Sequence, residues 1–178
     1  MCGIIGLINK NSLSEIDTNK LIKKIAHRGP DDNGIFNEKN TNSFIQLLHT
    51  RLSIRSIGYE GKQPYQYLSH TLIFNGEIYN TDFLSKKLRS INIGINSNCD
   101  TEILCKFIFH FGIDSISEIR GMYAFCIYDS TNKKFIAARD PLGIKPLFYS
   151  YNSNNIIFSS ESSVFEDRGI NLKSFESY

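Results

Sequence analysis

The sequence predicts an α+β fold in four layers (αββα): two antiparallel sheets packed face to face, with helices on their outer faces. Three observations carry this. Strand-like segments come in pairs joined by short turns, and short turns join antiparallel strands, not parallel ones. The helical segments fall into two groups, one near the N-terminus and one mid-chain, so each can cover a different outer face. At 178 residues the chain is long enough to bury such a stack as a single domain.

In chain order, residues 3–8 read as a buried strand whose glycines allow close backbone approach. Residues 14–27 fit a helix that Ser14 can cap, with Leu21, Ile22 and Ile25 as its apolar stripe. The stretch 28–34 is loop chemistry, rich in Gly, Pro, Asp and Asn. Residues 44–48 and 52–57 are strand-like, and the polar run 59–69, with Gln63 and Pro64, reads as a loop. Residues 70–74 form a strand that runs into Asn75-Gly76, a strong hairpin-turn signal. A helix follows over 81–91, capped by Thr81 or Asp82. A second spans 101–111, turns Ile103, Leu104, Phe107, Ile108 and Phe111 to the core, and stops at Gly112. Strands 122–129 and 134–139 flank a turn at 130–133, residues 140–143 make another turn, and 147–151 with 156–159 form a last hairpin. The domain is expected over 1–161, with 162–178 as a polar tail or the start of a linker.

Charge and cysteine usage narrow the function classes. Twenty basic residues against 18 acidic ones leave a net charge of +2 with no Lys/Arg run, which argues against a nucleic-acid partner. The four cysteines, Cys2, Cys99, Cys105 and Cys126, contain no C-x-x-C pair. Their spacing does not support a zinc site, and scattered thiols fit a reducing cytosol. The apolar run 2–8 is short and follows no positive charge, so it is a poor signal peptide. No segment approaches ~18 uninterrupted apolar residues, so a membrane span is not expected. A cytoplasmic protein is the expectation.

Cys2 carries the chemistry. Removal of Met1, which the small Cys2 side chain permits, leaves a nucleophile and a base in one residue. The thiolate attacks a carbonyl and the free α-amine takes and returns the proton. With Met1 attached, that nitrogen is an amide and the base is lost. The alternative is a small apolar residue at the start of a buried strand.

Six motifs occur in order: Met1-Cys2-Gly3-Ile4, His27-Arg28-Gly29-Pro30-Asp31, His49-Thr50-Arg51-Leu52-Ser53-Ile54, Asn75-Gly76-Glu77-Ile78-Tyr79-Asn80, Asp100-Thr101-Glu102 and the run from Arg139 to Leu147. Together they resemble the glutaminase domain of class II glutamine amidotransferases, members of the N-terminal nucleophile hydrolases. Within that class the residues are most similar to glutamine-hydrolysing asparagine synthetase. The resemblance implies the αββα fold and hydrolysis of L-glutamine to glutamate and ammonia through a Cys2 thioester. It implies no cofactor or metal for that half-reaction. ATP and Mg²⁺ belong to a synthetase domain, on a longer chain or a partner, and no phosphate-cradling glycine loop occurs here.

The same chemistry assigns roles. Asn75 can offer its side-chain NH2 and Gly76 its backbone N–H to the oxyanion, with glycine admitting a positive φ; the alternative is a plain Asn-Gly turn. Arg51 suits a carboxylate; the alternative is a solvated surface arginine. Asp100 can accept from the substrate ammonium or simply cap a helix, and the resemblance adds Glu77 to the amino-acid site. His27 and Arg28 lie on a loop expected near the nucleophile, with no catalytic step assigned. His49 should share a sheet face with Arg51 as a packing residue, and His70 and His110 are incidental. Rival readings are a non-catalytic regulatory module of the same fold and an ammonia donor for a non-aspartate acid such as a sugar carboxylate.

Overall fold

The computed structural model describes residues 1–10, 17–41, 43–53 and 58–166, and the backbone of 173–174. Two antiparallel sheets stack face to face. The first has six strands in the order β10-β8-β9-β1-β3-β2, and the second has four in the order β4-β5-β6-β7. The strands are β1 (Gly3–Lys10), β2 (Asp32–Asn40), β3 (Ser43–Arg51), β4 (Tyr65–Tyr67), β5 (His70–Ile78), β6 (Gly121–Asp129), β7 (Lys134–Arg139), β8 (Phe148–Tyr151), β9 (Asn155–Ser159) and β10 (Lys173–Ser174). The helices are α1 (Thr18–Ile25), α2 (Thr81–Ser90), α3 (Asp100–Phe111) and the short α4 (Ser163–Glu166).

The layers follow from side-chain alternation along each strand. Ile4 of β1 and Ile45 and Leu47 of β3 meet Ile73 of β5 and Ala124 and Cys126 of β6 between the sheets. The opposite faces of β1 and β3, through Ile5, Leu7 and Leu48, pack on Leu21 and Ile25 of α1 and on Val164 and Phe165 of α4. Leu72 and Phe74 of β5, with Phe125 and Ile127 of β6, pack on Leu84 and Leu88 of α2 and on Ile103, Leu104 and Phe107 of α3. The four-layer αββα sandwich is therefore the observed architecture.

Several local expectations are corrected. Asn75-Gly76 is not a turn. Strand β5 runs straight through it, pairing Asn75 with Ala124, Gly76 with Tyr123 and Glu77 with Met122. Ladder pairing with β6 along the whole strand outweighs the two-residue turn preference. Gly76 is needed for close approach, not for a positive φ: a Cβ there would sit 2.3 Å from the Met122 carbonyl oxygen. The expected loop 28–34 gives way at Asp32 to β2, and the loop 59–69 contains the short strand β4. The strand expected over 52–57 is not seen at Leu52 and Ser53, which follow the end of β3, while residues 54–57 lie outside the described residues. Asp17 caps α1 by accepting from the Lys20 N–H at 3.1 Å, and Ser14 lies outside the described residues. The cap position of α2 is Asn80, not Thr81 or Asp82, and its side chain serves elsewhere, bonding the Glu118 carbonyl and the Arg120 N–H. The packed core also runs past residue 161, because Val164 and Phe165 are buried.

Candidate active site

A cavity of about 200 Å³ opens where the start of β1, the end of β3, the middle of β5 and the start of α3 converge. Cys2, Arg51, Asn75, Gly76, Glu77 and Asp100 all line it. Every residue singled out for chemistry is thus brought to one place.

The first sheet supplies Cys2 and Arg51. Strands β1 and β3 pair with Gly3 opposite Thr50, so the next residue of each, Cys2 and Arg51, falls at the same end of the pair. The Cys2 Sγ lies 3.9 Å from the Leu52 carbonyl oxygen. Its own carbonyl accepts from Arg28 Nε at 3.1 Å, and Arg28 Nη1 is held by Glu161 at 2.6 Å. The His-Arg-Gly loop therefore does reach Cys2, through the Arg28 side chain. Gly29 lets it do so, since a Cβ there would lie 2.4 Å from the Thr50 carbonyl. Arg51 is buried and donates from Nη2 to the Gly58 carbonyl at 3.1 Å, so it is no solvated surface arginine.

The second sheet and α3 supply the rest. Asn75 is buried, and its Nδ2 has no hydrogen-bond partner among the described residues. Buried donors are almost always paired, so an unpaired amide on a cavity wall marks a place where an acceptor is due. Asp100 is the first residue of α3 and not its cap: Cys99 occupies the cap position without a side-chain cap bond. The Asp100 Oδ2 instead accepts from the Ile78 N–H at 2.8 Å, tying α3 to the end of β5. Gln63 braces the same floor, accepting from the Phe74 N–H at 2.6 Å and donating to Thr101 Oγ1 at 3.2 Å.

The thiols separate by environment. All four cysteines are free. Burial pushes the Cys105 thiol up to about 12 and Cys126 up as well, so both are poor nucleophiles. Cys99 lies outside the six motifs, yet it lines the cavity. His49 is buried, and desolvation first, then the Arg51 charge, pushes it down to about 3. It stays neutral, and its Nε2 has no partner among the described residues. His27 is exposed and meets Glu161 at 3.2 Å, His70 lies 3.6 Å from Asp129, and His110 bonds the Tyr67 hydroxyl. Among the described residues no three His, Cys, Asp or Glu side chains gather in a way that could hold a metal.

A model of the glutamine amidotransferase domain matches residues 1–176. The chain belongs to this family. It is 38% identical to asparagine synthetase (glutamine-hydrolyzing) 1 of Bacillus subtilis, over 90% of this chain and 26% of that protein. It is 32% identical to the amidase chry2 of Gibberella zeae, over 93% of this chain and 26% of that one. The chain thus spans about a quarter of these relatives' length. Its fold matches the glutamine phosphoribosylpyrophosphate amidotransferase of B. subtilis at a TM-score of 0.75 and 22% identity, over 97% of this chain and 44% of that chain. The fold is therefore that of this amidotransferase, the four-layer αββα sandwich that the resemblance implied. No helix of the described residues is long and apolar enough to cross a membrane.

Several cavity residues of this amidotransferase domain carry no role in the sequence reading, Gln63 and Lys145 among them. Gln63 sat in a segment taken for a plain loop. Lys145 also lines the cavity, just beyond the turn expected at 140–143. The lysine's position between a turn and a strand gives no hint of burial.

Proposed function

We propose that this domain hydrolyses L-glutamine to glutamate and ammonia through a γ-glutamyl thioester on Cys2, and that the ammonia serves an ATP-dependent amidation elsewhere. The Cys2 thiolate adds to the side-chain amide carbon after its proton passes to the α-amine freed by removal of Met1. The Asn75 amide and the Gly76 N–H receive the oxyanion. Collapse breaks the C–N bond, and the amine's proton leaves with the nitrogen as ammonia. Water, deprotonated by the same amine, then cleaves the thioester to glutamate. Arg51 pairs with the substrate α-carboxylate, and Asp100 and Glu77 accept from its ammonium. The half-reaction needs no cofactor; ATP and Mg²⁺ act at the synthetase site, on a further domain or a partner subunit.

The observation that carries this reading is the unpartnered, buried Asn75 Nδ2 in the same cavity as Cys2. A donor left unsatisfied at rest is one that a transition-state oxyanion can engage. The intact set of six residues counts against a non-catalytic module. Aspartate is the first choice of ammonia acceptor, by likeness to the Bacillus synthetase. Another carboxylic acid is the second reading, because the relatives that this chain matches are not all asparagine synthetases. The test is an assay of glutamate and ammonia release by protein whose first residue is Cys2. Release of both in equal amounts, without asparagine when ATP and aspartate are added to these residues alone, is expected. No release by protein with a free Cys2, even beside a matching synthetase, would favour the regulatory-module reading.

A further inference from the structure

Lys145 is a buried cation that the proposed chemistry does not use. It is 7% exposed. Among the described residues, no carboxylate lies within ion-pair distance of its Nζ. Its one hydrogen-bond partner there is the Met1 thioether, at 3.4 Å. A buried ammonium is costly unless paired, and a thioether is a weak acceptor. The fold nevertheless holds the lysine in place. The buried Asp140 carboxylate accepts from the Tyr123, Ile144 and Lys145 backbone N–H groups at 3.2, 2.9 and 3.0 Å. This pins the run from Asp140 to Lys145 against β6 and points a charge at the chain's first residue.

Five bonds separate the Met1 sulfur from the Cys2 nitrogen, a span of at most ~6 Å. Lys145 Nζ therefore lies within roughly 10 Å of that nitrogen, and it shares the cavity wall with Cys2. Removal of Met1 takes away the thioether and leaves the ammonium facing the new N-terminus. We propose that Lys145 is a positioning residue for the N-terminal nucleophile: once Met1 has left, its ammonium faces Cys2, disfavours a proton on the freed α-amine and favours the thiolate. This deepens the glutaminase reading, since it takes Cys2 as the nucleophile.

The other charges around Cys2 do not supply this effect. Arg28, on the loop after α1, is neutralised by Glu161 at 2.6 Å. Asp140 lies beneath Lys145 and is occupied by three backbone N–H groups. Glu77 of β5 and Asp100 of α3 are acidic and act in the opposite sense. Arg51 of β3 acts in the same sense in the free protein and is offset by the substrate carboxylate once glutamine binds, so the Lys145 variants read the lysine's share against a constant Arg51 background.

The experiment uses the full chain with Met1 removed and follows Cys2 alkylation by iodoacetamide against pH, read by peptide mass spectrometry. At an effective dielectric near 20, a unit charge at this range moves a titration by about one pH unit. Lys145→Met is expected to move the Cys2 alkylation midpoint up by that amount, with Lys145→Arg close to the parent. The acidic limb of kcat/KM for glutamine should move with it, while KM at high pH stays within about twofold. Protection of Cys105 and Cys126, both buried away from the cavity, reports that each variant is folded, and Lys145→Gln replaces Lys145→Met if that protection is lost. Superimposable profiles for parent and folded variant, or a loss of turnover that high pH does not restore, would overturn the proposal. A shifted alkylation profile in a protein that never hydrolyses glutamine would support Lys145's role while refuting the glutaminase reading.

Discussion

The two walls of the cavity are built on opposite rules. On the first sheet, the groups are already engaged: Arg51 Nη2 is on the Gly58 carbonyl, and the Cys2 carbonyl holds Arg28, itself fixed by Glu161. On the second sheet, Asn75 is buried with its donor unspent. An engaged guanidinium is held ready for a charge that the substrate carries throughout. An unsatisfied buried donor costs the resting protein about 1–3 kcal/mol, relieved only when an acceptor arrives. In the proposed reaction, one wall would serve ground-state binding and the other transition-state stabilisation.

Substitutions can break this contrast or sharpen it. The largest effect belongs to Cys2→Ala, which should reduce glutamine hydrolysis to background while glutamine still protects the domain against thermal unfolding. Loss of that protection too would mean that Cys2 serves binding, and the division of labour would be wrong. Next comes Asn75→Ala, expected to lower kcat by about 10²–10³ with little change in KM. A change confined to KM would move Asn75 to the binding side. Arg51→Ala should do the reverse, raising KM for glutamine by about 10- to 100-fold, the value of a lost charge-assisted contact of about 1.5–3 kcal/mol, with kcat largely kept. The smallest effect is expected at Cys99→Ser: Cys99 lines the cavity, but kcat and KM should both stay within about twofold. A collapse of kcat there would show that the cavity holds two working thiols.

The contrast itself was only half legible in the sequence. Cys2 and Arg51 meet because β1 and β3 pair with Gly3 opposite Thr50; both strands are buried on two faces and read as apolar runs, so the strands are legible in the sequence and their register is not. Asn75-Gly76 misled because a turn preference is local, whereas the pairing of β5 with β6 from His70 to Ile78 is not. The strand β2 was hidden for a related reason. It is an edge strand with alternating half-exposed positions, so its Asp, Asn, Gly and Lys look like loop chemistry. Asp100 read as a helix cap because its carboxylate's partner, Ile78, is 22 residues away. Lys145 was invisible for the strongest version of this reason, since its contact with Met1 spans 144 residues. Periodicity thus yielded the layers and the motifs yielded the members of the site. Long-range hydrogen bonds, which leave no local trace, decided how each member is held.

The central claim is that Cys2, once it is the first residue, becomes acylated by glutamine. Rapid acid quenching of the Met1-free protein with glutamine, followed by mass spectrometry of the N-terminal peptide, tests it most directly. A transient adduct of one γ-glutamyl group on Cys2, absent from molecules that retain Met1, is the predicted result. Glutamate release with no adduct on Cys2 at any quench time, or an adduct of equal yield on Met1-bearing chains, would contradict it.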